Sequence, residues 1–407
     1  MNGNRYEVVI IGGGASSLML ASQLDLDGAP GLILEGSKAL GTKLLMSGGG
    51  RCNITHGGPI KDFVYAYGDE GQTLRRCLYR HSNVDLARWF SGMGVELADE
   101  NGDPVYASYG PTGMDNAGRI YPASGKARDV LDTLIGEAAS NLWQIETDAK
   151  VTELRRNDEL WEITLESGYV LRSENVVVAT GGITYPETGS DGSMLEILED
   201  LGLDINEPRS ALAPVYIENY PYSELAGVSV PDVTAIAFCS DSACTCKGKA
   251  AKMKGDLLFT HEGLSGPVIL NISKYVEPGE LIRLCYNKEL YELPRRMQNI
   301  LRERSRGLMG DVRTNVLAGF LNQDDFIVSS VDEHGMVTAG GVSLDEIDMA
   351  TMWAKRFEGL YIIGEALDAD GITGGYNLQL CWSTACTCAD ALRGKPEIYK
   401  EKQNGFI

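Results

Sequence analysis

The sequence predicts an α/β protein, a parallel-sheet domain interrupted by a β-rich insert, and three observations carry that reading. Residues 6–11, YEVVII, are a continuous apolar run of the kind that a strand buried on both faces requires. GGGASS follows at once and leads into the apolar stretch LMLASQL, so the opening reads strand, turn, helix. A second apolar strand, 31–34, ends at Glu35, which stands 21 residues beyond Gly14. Together these form a Rossmann-like βαβ unit with an acidic residue closing its second strand, the context that lifts a glycine pattern above chance. The third observation is a change of texture from 191 to 339, where short alternating runs (APVYIE, DVTAIAFC, DLLFT, LIRLCYN, DFIVSSVD) take over.

Taken in order, NVDLARWFSGMG puts Leu86, Trp89 and Phe90 on one helical face between a cap at Asn83 and Gly92. KARDVLDTLIGEA repeats the design with Val130, Leu131, Leu134 and Ile135. From 143 to 180 the pattern turns to strands, WQIETDAKVTEL, LWEITLE and the apolar NVVVAT; the last runs into Gly181-Gly182 as the first strand ran into its glycines. The sheet of the first domain therefore resumes there, and its first segment is 1–190. The insert is 191–339, with a helical piece at about 288–322. The second segment, 340–407, holds a strand at 360–363, a glycine-rich loop and a helix that starts near Gly375.

At 407 residues, 43% of them hydrophobic and 23% charged, the chain has enough interior for two or three domains. Acidic residues outnumber basic ones 57 to 36, and the formal charge of −21 repels phosphate polymers and anionic lipid, which argues against nucleic-acid and membrane partners. No run of 18 apolar residues exists, and Glu7 with three consecutive glycines breaks the one N-terminal apolar stretch, so the expectation is a soluble cytoplasmic protein. Nine cysteines (Cys52, Cys77, Cys239, Cys244, Cys246, Cys285, Cys381, Cys386, Cys388) form an odd set that argues against a disulfide framework. The pairs Cys244/Cys246 and Cys386/Cys388 lack the zinc spacing and read as small buried hydrophobes, so no metal is expected. The 48 glycines, about 12% of the chain, point to close backbone approaches to something bound.

Three constellations carry the chemistry. In the first, Gly12-x-Gly14-x-x-Ser17, glycines let the main chain approach a pyrophosphate held at the following helix N-terminus, while Glu35 accepts ribose hydroxyls. Glu35 argues for a ribose with a free 2'-OH, because a 2'-phosphate would meet its charge. The second is GTKLLMSGGGRCNITH, residues 41–56, where three glycines precede Arg51-Cys52-Asn53, as main chain lying against a cofactor ring requires. Arg51 is a candidate for an anionic ring or substrate, with an ion pair to a carboxylate as its ordinary alternative. Cys52 has no partner base in the sequence and fits as a small residue or a redox thiol. In the third, GEALDADGITGGYNLQ, Glu365, Asp368 and Asp370 do not have the spacing of an EF-hand loop, and the helix start at Gly374-Gly375 suits an anionic centre.

GGGASS, TKLLMSGGGRCNIT, GRIYPASGKARDVL, VVVATGGITYPETGSDG, DLLFTHEGLSGPVILNIS, TAGGVSLDEI and GLYIIGEALDADGITGGYNLQ, in this order, make the chain similar to the YhiN/BaiN-like family of flavoproteins. The resemblance implies a GR2-like FAD-binding domain split by an inserted β-barrel with a helical part, bound FAD, and NAD(P)H-linked reduction. The family's bile-acid member reduces carbon–carbon double bonds in 3-oxo steroid intermediates. It implies that Gly12, Gly14, Ala15 and Ser16 hold the pyrophosphate, Glu35 and Gly36 the ribose end, and Lys43, Ser47, Gly49, Gly50, Arg51, Cys52 and Asn53 the isoalloxazine side. It implies further that Val151 touches adenine by its main chain, that Thr180, Gly181 and Gly182 lie along the cofactor, and that Gly364, Glu365, Asp370, Gly371, Gly375, Tyr376, Asn377 and Gln379 close over ribityl and ring. Arg51 and Cys52 are the catalytic candidates. No second Gly-x-Gly-x-x-Gly βαβ unit exists, so NAD(P)H is expected to dock transiently, and the substrate is expected to be a small apolar molecule. His261, Tyr106 and Tyr121 are possible proton donors whose ordinary reading is structural.

Overall fold

The computed structural model describes residues 5–106, 114, 117–238, 250–286, 292–300 and 323–394. The chain divides into two compact units, Met1–Pro208 with Thr338–Ile407, and Arg209–Val337.

The first unit is built on a nine-stranded mixed sheet. Its centre is parallel, in the spatial order Leu360–Ile362, Val170–Val178, Arg5–Ile11, Gly31–Leu34, Gln144–Glu146. Ile11 is in register with Val178 on one side and Leu34 on the other, and Ile362 with Val178, so these strands end flush at one carboxyl edge. The run Val8–Ile11 is at most 3% exposed, which explains why a continuous apolar stretch and no alternating one occupies this place. Strands Val151–Asn157 and Leu160–Leu165 add an antiparallel meander beside Val170–Val178. Helix Ala15–Gln23 packs against both Ala127–Ser140 and Tyr376–Leu392. Ser17, in the place of a third glycine, is fully buried in the first of them.

Helix Asn83–Gly92 forms where its apolar periodicity predicts, but its cap is Ser82 and not Asn83. Ser82 Oγ accepts from Asp85 N while Asp85 Oδ2 accepts from Ser82 N, a capping box that leaves Asn83 free to donate to the carbonyls of His56 and Gly58.

The second unit is a closed six-stranded antiparallel barrel, in the order Val215–Ile217, Gly263–Ser265, Ala251–Phe259, Ser229–Phe238, Leu281–Tyr286, Gln323–Val331. The alternating run LIRLCY buries every second residue, as one wet and one dry face require, and Tyr222, Phe259 and Phe326 meet edge to face in the interior. The insert therefore starts at 209 where the sequence expectation put it at 191. The reason is helix Ser193–Leu201, whose Met194, Leu195 and Leu198 enter the core of the first unit. Of the helical piece expected at 288–322, residues 295–300 are helical and 301–322 lie outside the described residues, as do Cys239, Cys244 and Cys246. No described helix is long and apolar enough to cross a membrane.

Candidate cofactor site

The carboxyl edge of the parallel sheet is where open α/β folds hold ligands, and the loops that leave it contain most of the predicted residues. Gly12 sits at φ +103, and a Cβ there would stand 2.6 Å from the carbonyl oxygen of Ala179, so the first turn needs glycine to pass beneath the neighbouring strand. Gly14 caps helix Ala15–Gln23 without any side-chain hydrogen bond, and nothing lies within 4 Å of the place its Cβ would take. The first turn of that helix carries neither a side-chain cap nor an acidic residue, so its dipole is uncompensated beside the open place at Gly14, an arrangement that attracts phosphate. Ser16 is buried beside Gly364 and bonds to the Cys381 thiol.

Glu35 is only 7% exposed and holds the turn from the second strand: Oε2 accepts from Gly13 N at 2.7 Å and Oε1 from Ser37 N at 2.6 Å. Gly189, at φ +99, brings a third segment beside the same carboxylate. At this end of the turn Gly36 lies against Lys150, Val151 begins its strand, and Lys150 Nζ meets Asp191 at 2.6 Å. The bond to Asp191 holds the Lys150 ammonium above its usual range.

The loop after helix Thr42–Met46 takes left-handed backbone at Gly48, Gly49 and Gly50, with open space at Gly49. Ser47 donates to Leu44 O, and its carbonyl receives Cys52 N. Arg51 is exposed, and its guanidinium lies 4.3 Å over the ring of Tyr121, a cation–π partner in place of the carboxylate that its ordinary reading proposed. Cys52 is fully buried at φ +60, and burial pushes its thiol up to about 12 against the bond from Ser47, so it is neutral and packed. Tyr121 is buried beneath Arg51, Tyr106 is exposed, and His261 is an exposed residue of the barrel unit.

Lys43 Nζ donates to Thr184 Oγ1 and to Glu365 Oε2, both at 2.7 Å, and Glu365 Oε1 accepts from Thr338 N at 2.7 Å. Asp368 is likewise taken by N–H donors, from Gly340 and Asn206, and no cation-binding group of side chains exists among the described residues. Asp370 is buried. Asn377 braces the loop by accepting from Gly371 N at 2.8 Å and donating to Gly371 O at 2.9 Å. Tyr376 stacks on His56 with ring centroids 5.1 Å apart and meets Phe63 edge to face.

The side chain of Gln379 is taken up within the protein. It is fully buried, accepts from Thr55 Oγ1 at 2.6 Å and donates to His81 O and Ser383 Oγ, so its amide joins the final helix to the rest of the unit. Thr184, Thr338 and Thr384, whose hydroxyl receives Gly364 N at 3.0 Å, went unrecognised in the sequence. In the sequence Thr184 and Thr338 stand beside glycine pairs, whereas Thr384, in the middle of the final helix, carries no such signal.

The residues fit a dinucleotide on observations of this structure. Two helices, Ala15–Gln23 and Tyr376–Leu392, start at glycines with no side-chain cap. Thr180 Oγ1 and Asn53 Oδ1 are buried without a hydrogen-bond partner, and such atoms cost free energy unless a ligand or water satisfies them. Thr180 adjoins Gly12 and Asn53 adjoins Gly375, so each orphan lies beside one of the glycine turns. Of the paired cysteines, Cys386 and Cys388 are buried on one helix two positions apart, and side chains so spaced point to opposite sides.

The family model described as the HI0933-like protein Rossmann domain matches residues 6–391. A ribosomal RNA dihydrouridine synthase of Escherichia coli strain K12 is 28% identical over 95% of this chain and 98% of its own. A 3-dehydro-bile acid delta(4,6)-reductase of Clostridium scindens is 26% identical over 95% and 99%. Among solved structures, the FrdA subunit of Escherichia coli quinol fumarate reductase aligns with TM-score 0.54 at 14% identity, over 96% of this chain and 70% of that one, a likeness of fold.

Proposed function

The chain belongs to the HI0933-like family, and from that premise we propose that it is an FAD-dependent oxidoreductase that reduces an electron-poor carbon–carbon double bond conjugated to a carbonyl. The observation that carries the cofactor is the uncapped N-terminus at Gly14 beside the buried Glu35. Two relatives support the reaction. Dihydrouridine differs from uridine by saturation of a double bond conjugated to a carbonyl, and a bile-acid delta(4,6)-reductase by its name saturates a conjugated steroid. Bound FAD would supply the hydride. Gly12, Gly14, Ala15 and the helix behind them would hold the pyrophosphate, Thr180 and Asn53 would find partners along the ligand, and Arg51 would present a fixed positive charge to a substrate carbonyl. NAD(P)H is the proposed donor, docking transiently, and the cytoplasm the proposed location.

The first substrate reading is a small apolar enone, such as a 3-oxo steroid. A second reading, a uridine of RNA, is favoured by the dihydrouridine synthase relative and by the distribution of charge. The −21 is not spread evenly: residues 209–337 hold 14 Lys and Arg against 16 Asp and Glu, so the acidity lies almost wholly in the first unit. The barrel unit lacks the net repulsion that argued against nucleic acid. The experiment is anaerobic reduction by NADH and NADPH, then reoxidation by a panel of 3-oxo-4-ene steroids, other enones and uridine-containing RNA. Flavin that only oxygen reoxidises makes the protein an oxidase, and flavin that no donor reduces makes it a structural cofactor.

A further inference from the structure

Lys43 lies on a five-residue helix, Thr42–Met46, and Glu365 on the turn after strand Leu360–Ile362. Their side chains are 26% and 18% exposed and meet at 2.7 Å. Such a pair, partly dried and far apart in sequence, is held by more than its own attraction. Glu365 Oε1 is anchored by the backbone N–H of Thr338, and Lys43 Nζ by the hydroxyl of Thr184. The two threonine hydroxyls are 3.4 Å apart, and Thr338 Oγ1 also accepts from Ile183 N at 2.9 Å. Two of the three ammonium hydrogens of Lys43 are thus committed, and both carboxylate oxygens of Glu365.

This network sits against the glycines of the carboxyl edge. A Cβ at Gly181 would come 3.7 Å from Glu365 Oε2, and one at Gly182 would collide with Thr338. Thr180, whose hydroxyl has no partner, is the residue before them, and its Cα lies 3.0 Å from where a Gly12 Cβ would stand. An ion pair fixed at both ends beside a redox ligand acts on it through two charges of opposite sign at different distances, and partial burial keeps that effect from being screened.

Building on the FAD reading, we propose that Thr184 and Thr338 are positioning residues for the Lys43–Glu365 pair, and that the pair sets the reduction potential of the bound flavin. Lys43 favours the electron-rich, reduced cofactor and Glu365 the oxidised one. The hydroxyl of Thr184, accepting from Lys43 Nζ at 2.7 Å, keeps the ammonium in its place in the pair.

The test is the two-electron midpoint potential of the full-length, FAD-loaded protein, measured anaerobically against reference dyes, with the ratio of FAD to protein recorded for each variant. Lys43→Met is expected to lower the affinity for reduced relative to oxidised flavin by about tenfold, which is a fall of about 30 mV for a two-electron couple. Glu365→Gln is expected to move it the opposite way by a similar factor. Thr184→Val, which is isosteric, moves it in the direction of Lys43→Met by a smaller factor, and Thr184→Ser restores the wild-type value. A merely structural network gives no such pattern of signs. Lys43→Met and Glu365→Gln shifting together, or Thr184→Ser behaving as Thr184→Val does, overturns the proposal. Wild-type protein that retains no FAD overturns the functional reading itself, and this outcome is separable because it is seen before any potential is measured.

Discussion

Cys52 occupies a left-handed backbone position that glycine adopts freely, and it is sealed from solvent there. A thiol so buried is protonated at neutral pH and poorly nucleophilic. Cys52→Ser should therefore leave reoxidation of the flavin by substrate intact in stopped flow. Arg51→Met, which removes a solvent-facing cation over Tyr121, should slow that step by roughly 10²-fold if the charge acts on the transition state. A reversed pattern would give Cys52 a chemical role. The same burial carries a pH dependence. Burial raises Cys52 and Cys77 to about 12 and Cys381 to about 11 from an ordinary 9.0. The unfolded chain ionises first, so the stability these thiols confer is complete below pH 9 and is lost as pH rises from there towards 11 to 12, by about 1.4 kcal/mol per pH unit for each thiol. Urea midpoints that stay level from pH 9.0 to about 11 would contradict it. Glu35→Arg removes the acceptor for Gly13 N and Ser37 N and should lower FAD retained after dialysis by about 10-fold or more, since a hydrogen bond to a charged group is worth about 1.5–3 kcal/mol. Glu35 was legible because a local pattern fixes it: an acidic residue closing the second strand of a βαβ unit. Gln379 was not, because the partners of its amide, Thr55 and His81, come from about 300 residues away and only tertiary structure brings them near.

The final helix joins most of the site, and its sequence, YNLQLCWSTACTCADAL, is buried along most of its length. Trp382 is fully buried and donates to Ile54 O at 2.9 Å, so the helix is tied to the strand that follows the Arg51 loop. Thr384 receives Gly364 N and donates to Leu380 O. Thr384→Val keeps the shape but leaves the buried Gly364 N–H without an acceptor, which should cost about 1–3 kcal/mol in urea unfolding. No change in stability would mean that the turn is held by packing alone. The helices and strands themselves were readable, because apolar period and turn residues are local signals. The cap at Ser82 was misplaced by one residue, since Asn83 is an equally good cap former by type and only the reciprocal bonds with Asp85 decide between them.

Across the whole molecule, the break between units escaped an exact sequence reading. Helix Ser193–Leu201 follows a glycine turn and precedes a run of short strands, so its texture resembles the insert while its apolar face belongs to the first unit's core. Net charge is similarly coarse: a single figure for the chain hides the near balance of residues 209–337. The dinucleotide motif is legible in the sequence because glycine turn, strand and acidic residue constrain one another within 35 residues. Hydride transfer from the flavin to a conjugated double bond is read in a single measurement, anaerobic single-turnover reoxidation. Purified protein carrying about one FAD per chain is reduced without oxygen and mixed with a 3-oxo-4-ene steroid and, separately, with uridine-containing RNA. The oxidised flavin band is expected to return with one of them, with one saturated product formed per flavin. Flavin that stays reduced with every conjugated acceptor and reoxidises only on admission of air would contradict it.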